Sequence, residues 1–299
     1  MAITYEKYHG TGNDFIAVEA DAPVEDWGAF AVEHCDRETG IDLGGRVGAD
    51  GVLVLSLEGG APSRVRMRLY QPDGGTAAMC GNGARCVAEW ATRRERSEGL
   101  DLRERTESVS DASRTDGREF VIETPAGDRH ARVGDETIEI EMGVPSFAPD
   151  EIPLARERDE ALIREEIGGW EVSAVNTGVP HAVTFVEDVS TVDLELMAPP
   201  IRHADVFPEG ANVNVAAPRR GDGGFDQRTF ERGVEGETRS CGTGAVAIAA
   251  VAGRLGLAED SRVRVSPPGG DLFVTVPDEG PATLSGPVVL EGTGELPIP

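Results

Sequence analysis

Lysine is nearly missing from this chain of 299 residues: Lys7 is the only one, and the other basic side chains are arginines. A Schiff-base cofactor such as pyridoxal phosphate needs a lysine, and Lys7 lies in no phosphate-binding pattern. Asp and Glu number 54 against 28 Lys plus Arg, a formal net charge of −26. Such a charge repels phosphate backbones and anionic lipid surfaces, which argues against nucleic acid and membranes as partners. Acidic composition with so little lysine looks like that of a protein from a salt-loving organism, where salt screens the repulsion within roughly 3 Å at 1 M. Aromatics make up only 5%, so the core is expected to rest on Ala, Val, Leu and Ile rather than on stacked rings. No apolar run approaches the ~20 residues that span a bilayer. The longest, Gly244 to Gly253, reads as a buried helix. The first ten residues lack the basic and apolar stretches of a signal peptide, so a cytoplasmic location is expected. The four cysteines form no disulfide framework and have no zinc-ligand spacing, which leaves free thiols and no expected metal.

What the chain does contain is an internal repeat. Thr11-Gly12 recurs as Thr177-Gly178, Gly48-Ala49-Asp50 as Gly210-Ala211-Asn212, and Arg68 with Tyr70 as Arg228 with Phe230. A turn-rich loop follows each time and ends in a cysteine. Cys80-Gly-Asn-Gly-Ala84 matches Cys241-Gly-Thr-Gly-Ala245. Ala84, Val87, Ala88 and Ala91 then match Ala245, Ile248, Ala249 and Ala252, the i, i+3, i+4, i+7 positions of a helix. Pro125 to Asp128 against Pro268 to Asp271, and Gly143 against Gly286, continue the match. Between cysteine and proline the first half takes 45 residues and the second 27. The extra length falls in Arg93 to Glu119, of which Glu104–Gly117 reads as a solvated loop and Arg93–Arg105 as a solvated helix end.

Each half therefore reads as several strands, including Phe15–Glu19, Gly51–Leu57 and Val65–Tyr70, around one helix that begins just after the cysteine. The expected fold is α+β, with two pseudo-symmetric lobes, each a mostly antiparallel sheet or barrel around a central helix, and an active site in the cleft between them. The N-terminal lobe is placed at 1–142 plus 287–299 and carries Cys80. The C-terminal lobe is placed at 143–286 and carries Cys241.

A helix N-terminus presents unpaired N–H groups and the positive end of its dipole, so a thiolate there is stabilised. The glycines at 81, 83, 242 and 244 let the backbone approach an anion such as a carboxylate. Two such sites suggest chemistry on both faces of one atom. The Cα proton of an amino acid is very weakly acidic, and helix termini aimed at its carboxylate would stabilise the charge that develops on deprotonation. One cysteine as thiolate would take the proton, and the other as thiol would return one to the opposite face. The pair would titrate as a unit, and no cofactor is called for.

With these residues in view, the sequence resembles the diaminopimelate epimerases, which convert LL- to meso-diaminopimelate in lysine biosynthesis. The resemblance runs from His9-Gly-Thr-Gly-Asn-Asp-Phe15 through Met79-Cys-Gly-Asn-Gly-Ala-Arg85, Gly178-Val-Pro-His181 and Phe230-Glu-Arg-Gly233 to Thr238-Arg-Ser-Cys-Gly-Thr-Gly244. It implies Cys80 and Cys241 as the two acid/base residues and the N–H groups of Gly81, Asn82, Gly242 and Thr243 as the carboxylate cradle. It also implies Asn13 and Glu231 near the reacting amino group, Asn212 and Arg232 at the distal end, and His181 as a neighbour of the site. Arg232 suits a carboxylate because its planar fork binds both oxygens. Two positions depart from the family pattern, Gln71 and Val179, where asparagines are expected. Gln71 keeps the hydrogen-bonding amide on a longer arm, whereas Val179 offers none.

Each of these residues also has an ordinary reading. Cys35 and Cys86 read as core packing. Asn13 alone would be a turn former, Glu231 with Arg232 a surface ion pair, and His181 a structural histidine. Two other functions compete: a proline- or hydroxyproline-type racemase of the same fold, and a non-catalytic amino-acid binder. The implied partner is a small molecule, and a homodimer is left open.

Overall fold

The computed structural model describes residues 2–43, 45–97, 117–155, 160–219, 221 and 223–297. The chain divides into two compact units, Met1–Ile140 with Gly286–Pro299, and Glu141–Ser285.

The first unit opens with an antiparallel hairpin, Ala2–Gly10 with Asn13–Glu19. Its turn residues Thr11 and Gly12 have φ of 51° and 89°, the positive values of a two-residue turn whose twist suits paired strands. Asn13–Glu19 runs parallel to Gly51–Glu58, which pairs antiparallel with Ser63–Tyr70. Ser63–Tyr70 runs parallel to Arg118–Thr124, and that strand pairs antiparallel with Gly127–Val133. Val289–Pro297 closes on Ala2–Gly10 from its other edge.

The second unit repeats this order strand by strand. Trp170–Asn176 and Pro180–Phe185 form the hairpin, and Pro180–Phe185 lies parallel to Asn212–Pro218. Asn212–Pro218 is antiparallel to Phe225–Glu231, which is parallel to Arg262–Ser266, and that strand pairs antiparallel with Leu272–Thr275. Strand pairing moves the internal equivalence by one residue at one place. Val52 faces Tyr70 where Val213 faces Phe230, so Leu53 is the counterpart of Asn214, and Gly51, not Asp50, that of Asn212.

Among the described residues each unit holds two α-helices rather than the one expected. A parallel neighbour needs a crossover connection, and α1 (Trp27–Cys35) supplies it between Asn13–Glu19 and Gly51–Glu58. Asp26 caps α1 by accepting from Gly28 N–H at 2.9 Å and Ala29 N–H at 3.0 Å. The central helix of the first unit is α2 (Gly81–Ser97), whose neighbours include Ala2–Gly10, Asn13–Glu19, Gly51–Glu58, Ser63–Tyr70, Arg118–Thr124 and Gly127–Val133. The sheet therefore wraps round it. In the second unit α3 (Leu194–Arg202) makes the crossover, capped by Asp193. There α4 (Gly242–Arg254) is the central helix, apolar on every side and buried along Gly244–Ala252.

The cores match the composition. Ile3, Ile16, Val18, Ala31, Val52 and Val54 pack with Phe30 under α1, and Val172, Ala182, Leu194, Ala198, Ile201 and Val213 pack under α3. Cys35 and Cys86 are buried core residues. The end of α2 is docked rather than solvated. Glu95 is buried and accepts from Ser63 Oγ at 2.6 Å and Arg118 Nη1 at 3.0 Å, while Arg94 pairs with Glu6 and Glu19. A carboxylate can be buried there because a hydroxyl and a guanidinium meet it. Residues 98–105 of that stretch, and the loop read at Glu104–Gly117 up to position 116, lie outside the described residues. Lys7 is fully buried. Its Nζ donates to the carbonyls of Leu43 at 3.1 Å and Arg46 at 2.6 Å, with Asp14 at 3.2 Å and Glu291 at 3.5 Å as counter-charges. Among the described residues no helix is long and apolar enough to cross a membrane.

Candidate active site

Both motif cysteines sit at the residue before a central helix. Cys80 is half-buried, and its carbonyl accepts the first helical bond from Ala84 N–H at 2.8 Å. Its Sγ lies 3.4 Å from Gly83 N–H, the third residue of α2, where a capping side chain normally accepts. Cys241 is the N-cap of α4 with extended backbone, φ −129° and ψ 106°. Ala245 N–H closes on its carbonyl at 2.9 Å, and its Sγ lies 3.5 Å from Thr243 Oγ1.

In the first unit the sequence candidates Asn13 and Asn82 come together. Asn82 Nδ2 donates to Asn13 Oδ1 at 2.5 Å, and Asn13 Nδ2 donates to Asp50 Oδ2 at 3.1 Å. Asp50 in turn bonds Arg37, which with Lys7 and Arg46 surrounds the buried Asp14. Burial raises the Asp14 carboxyl, but these three cations together outweigh it and hold the group below the ordinary carboxylate value. Asn13 is thus anchored through a charged network. Gln71 stands apart from this cluster, exposed in a turn where its N–H donates to Gly75 O at 2.8 Å.

In the second unit Asn212 Oδ1 accepts from Arg232 N–H at 2.7 Å, which fixes the strand end carrying Glu231 and Arg232. Arg232 Nη1 reaches Glu209 O at 3.3 Å. His181 is fully buried, and burial, with the charge of Arg232, brings its ring down to about 3. Its Nδ1 is 2.9 Å from Asn214 Nδ2, while Asn214 Oδ1 accepts from Thr229 Oγ1 at 2.9 Å. That amide orientation makes Nδ1 an acceptor, so the neutral ring carries its proton on Nε2. No protein group receives that proton among the described residues. Gln227 Nε2 adds bonds to Thr229 Oγ1 at 2.9 Å and Cys241 O at 3.2 Å. Thr177 Oγ1 donates to Thr243 O at 2.9 Å, steadying the helix start. Val179 is half-buried beside Gly178, whose N–H is bonded to Asn176 Oδ1 at 2.7 Å.

Three parts of these surroundings escaped the sequence reading. One is the floor beneath each helix start. Phe15, Leu53, Met67 and Leu69 lie in the first unit where His181, Asn214, Gln227 and Thr229 lie in the second, all eight buried. The second is Arg85, fully buried in α2, where Val246 stands in α4. The third is the charged network around Asp14. Polar residues at core-facing positions of Asn212-Val-Asn214 and Gln227-Arg-Thr229 were the available signal, visible only once the strands are in register. Among the described residues no group of three or more His, Cys, Asp or Glu is placed to hold a metal ion.

A family model described as diaminopimelate epimerase matches residues 5–148 and 173–291. A diaminopimelate epimerase of Methanocella arvoryzae is 40% identical over 304 aligned residues, covering 99% of this chain and 97% of that protein. Among solved structures, a phenazine biosynthesis protein of the PhzF family from Bacillus anthracis shares the fold at a TM-score of 0.64 and 18% identity, over 100% of each chain. A hydroxyproline epimerase from Agrobacterium vitis does so at 0.59 and 16%, over 99% of this chain and 91% of the other.

Proposed function

Because the chain belongs to the diaminopimelate epimerase family, we propose that it interconverts LL- and meso-diaminopimelate, on the route to lysine, by a cofactor-independent two-base reaction. The observation that carries this reading is that Cys80 and Cys241 are the same residue of a duplicated unit, each at the start of its central helix. One cysteine, as thiolate, removes the α-proton. The other, as thiol, gives a proton to the opposite face, so configuration inverts without rotation of the substrate. The α-carboxylate gains charge as the proton leaves, and the N–H groups of Gly81, Asn82, Gly242 and Thr243 stabilise it.

His181 offers Nε2–H as a donor to the substrate, since its other nitrogen is occupied by Asn214. Asn13 and Glu231 serve the reacting amino group, and Arg232, steadied by Asn212, takes the distal carboxylate. Gln71 reaches the distal amino acid from its exposed turn. The lobes assigned above from sequence, each with its own cysteine, are the units that carry the two bases. The engagement of Lys7 with two carbonyls and two carboxylates supports a reaction that needs no lysine amine. The acidic, lysine-poor surface supports a cytoplasmic enzyme adapted to high salt.

Incubation with LL-diaminopimelate in heavy water, with reductant and high salt, is expected to place deuterium at Cα. L-Proline under the same conditions is expected to gain none. Absence of exchange into diaminopimelate defeats the proposal, and exchange into proline alone replaces it by the racemase reading. A binding protein would keep its ligand affinity in Cys80→Ala and Cys241→Ala, whereas an epimerase loses turnover in each.

A further inference from the structure

Arg85 is the most unusual side chain in the first unit. It is fully buried, and among the described residues its one hydrogen bond, Nη2 to Thr11 Oγ1 at 2.9 Å, leaves Nε and Nη1 without protein partners. No carboxylate faces it among the described residues; the charges that act on it are those of Cys86 and Cys80. Burial draws the guanidinium down to about 10, so it stays charged near neutrality. Burial also pushes the Cys86 thiol far up, so that group is neutral. A buried cation without an anion is costly, and among the described residues Cys80 is the remaining group whose charge acts on it.

The surroundings are shaped to admit the guanidinium. A Cβ on Gly10 would lie 3.0 Å from Arg85 Nη2. Thr11, a β-branched residue, holds φ 51°, an unfavourable conformation, at the position where its hydroxyl meets Arg85. Among its described residues the second unit contains no such arrangement. Val246 replaces Arg85, and neutral His181, Asn214, Gln227 and Thr229 replace the apolar floor of Phe15, Leu53, Met67 and Leu69. The charged side chain acting on His181 there is Arg232, which is followed by Gly233 at the strand end and preceded by Glu231.

We propose that Arg85 is a positioning residue whose buried charge makes Cys80 the cysteine that rests as thiolate, while Cys241, above a neutral polar floor, rests as thiol. The two copies have thus diverged into a base and an acid that are set before substrate arrives. This rests on the reading of both cysteines as bases, yet its test needs no turnover.

Pulse labelling of the whole protein with iodoacetamide across pH, read by peptide mass spectrometry, gives a midpoint for each thiol. Cys80 is expected to label at lower pH than Cys241. Arg85→Gln keeps a donor for Thr11 but removes the charge, and should raise the Cys80 midpoint by about one pH unit, roughly a tenfold loss of thiolate at neutral pH. The Cys241 midpoint should stay in place, and Arg85→Lys should restore that of Cys80. Coincident or reversed midpoints in the unaltered protein overturn the proposal, as does an unmoved Cys80 in the glutamine variant. Should Arg85→Gln fail to fold, the order of midpoints in the unaltered protein and in Arg85→Lys decides alone. Labelling as expected without deuterium exchange would defeat the epimerase reading while keeping Cys80 as the thiolate held by Arg85.

Discussion

Gly83 and Gly244 occupy the same place in the two copies, three residues after the cysteine, and alanine at each should have clearly different effects. At Gly244 an added Cβ would lie 2.3 Å from Asn214 Oδ1, 2.9 Å from Gln227 Nε2 and 3.2 Å from Cys241 Sγ. The Asn214 amide must then leave, breaking its 2.9 Å bonds with Thr229 and His181. Each buried bond left unmade costs ~1–3 kcal/mol, and alanine's helix preference returns at most ~1 kcal/mol. The net loss is about 1–5 kcal/mol, which lowers the melting temperature by roughly 3–15 °C for a unit of this size. At Gly83 the nearest atoms are Leu53 Cδ2 at 3.4 Å, with Cys80 Cβ and Met67 Cε at 3.5 Å. This is ordinary contact, so Gly83→Ala should be neutral or stabilising by up to ~1 kcal/mol. Calorimetric melts of both variants beside the unaltered protein, in one buffer and salt, read the two shifts. Equal shifts, or a larger loss at Gly83, would refute the assignment of a rigid polar floor to the second unit alone.

Three other outcomes follow from particular groups. Burial pushes the Cys35 thiol up to about 12, so Cys35 and the buried Cys86 should resist alkylation at pH 8 in native protein and react once denaturant is added; rapid native labelling of either would contradict their burial. His181 holds about 3 when folded against 6.5 as its ordinary value. The unfolded chain binds the proton first, so the stability this ring permits near pH 7 is lost as pH falls from 6.5 toward 3; urea midpoints of His181→Gln should fall less steeply across that window than those of the unaltered protein. With a net charge of −26, self-repulsion is screened more tightly as salt rises, from about 10 Å at 0.1 M to 3 Å at 1 M, so the melting temperature should climb with sodium chloride. A flat response would place the carboxylates mainly in the local ion pairs around Arg64, Arg37 and Arg228.

Much of the fold was legible because duplication doubles the signal. Gly-rich helix starts after Cys80 and Cys241, and apolar positions at helical spacing, are strong when they occur twice. The crossover helices were harder to see. The Asp26 and Asp193 caps are visible, but α1 is short and Pro199-Pro200 inside α3 reads as a break. The strand bearing Asn212 and Asn214 was displaced by one residue in the sequence match. A one-residue slip turns every side chain to the other face of a strand, so the polar floor under Cys241 stayed hidden until pairing fixed the register. Arg85 was hidden for another reason: an arginine on a helix is ordinarily solvated, and only packing reveals that this one is not.

Lys7 carries the chain's one side-chain amine, and that amine is enclosed by two carbonyls and two carboxylates. Amine-directed labels, acylating agents and lysine-specific proteases therefore find no exposed lysine on the folded surface. The same chemistry becomes a reporter with a single address: acylation at Lys7, or cleavage after it, registers only molecules in which the first strand has parted from its neighbours. A surface emptied of lysine has left the protein with a built-in gauge of its own opening.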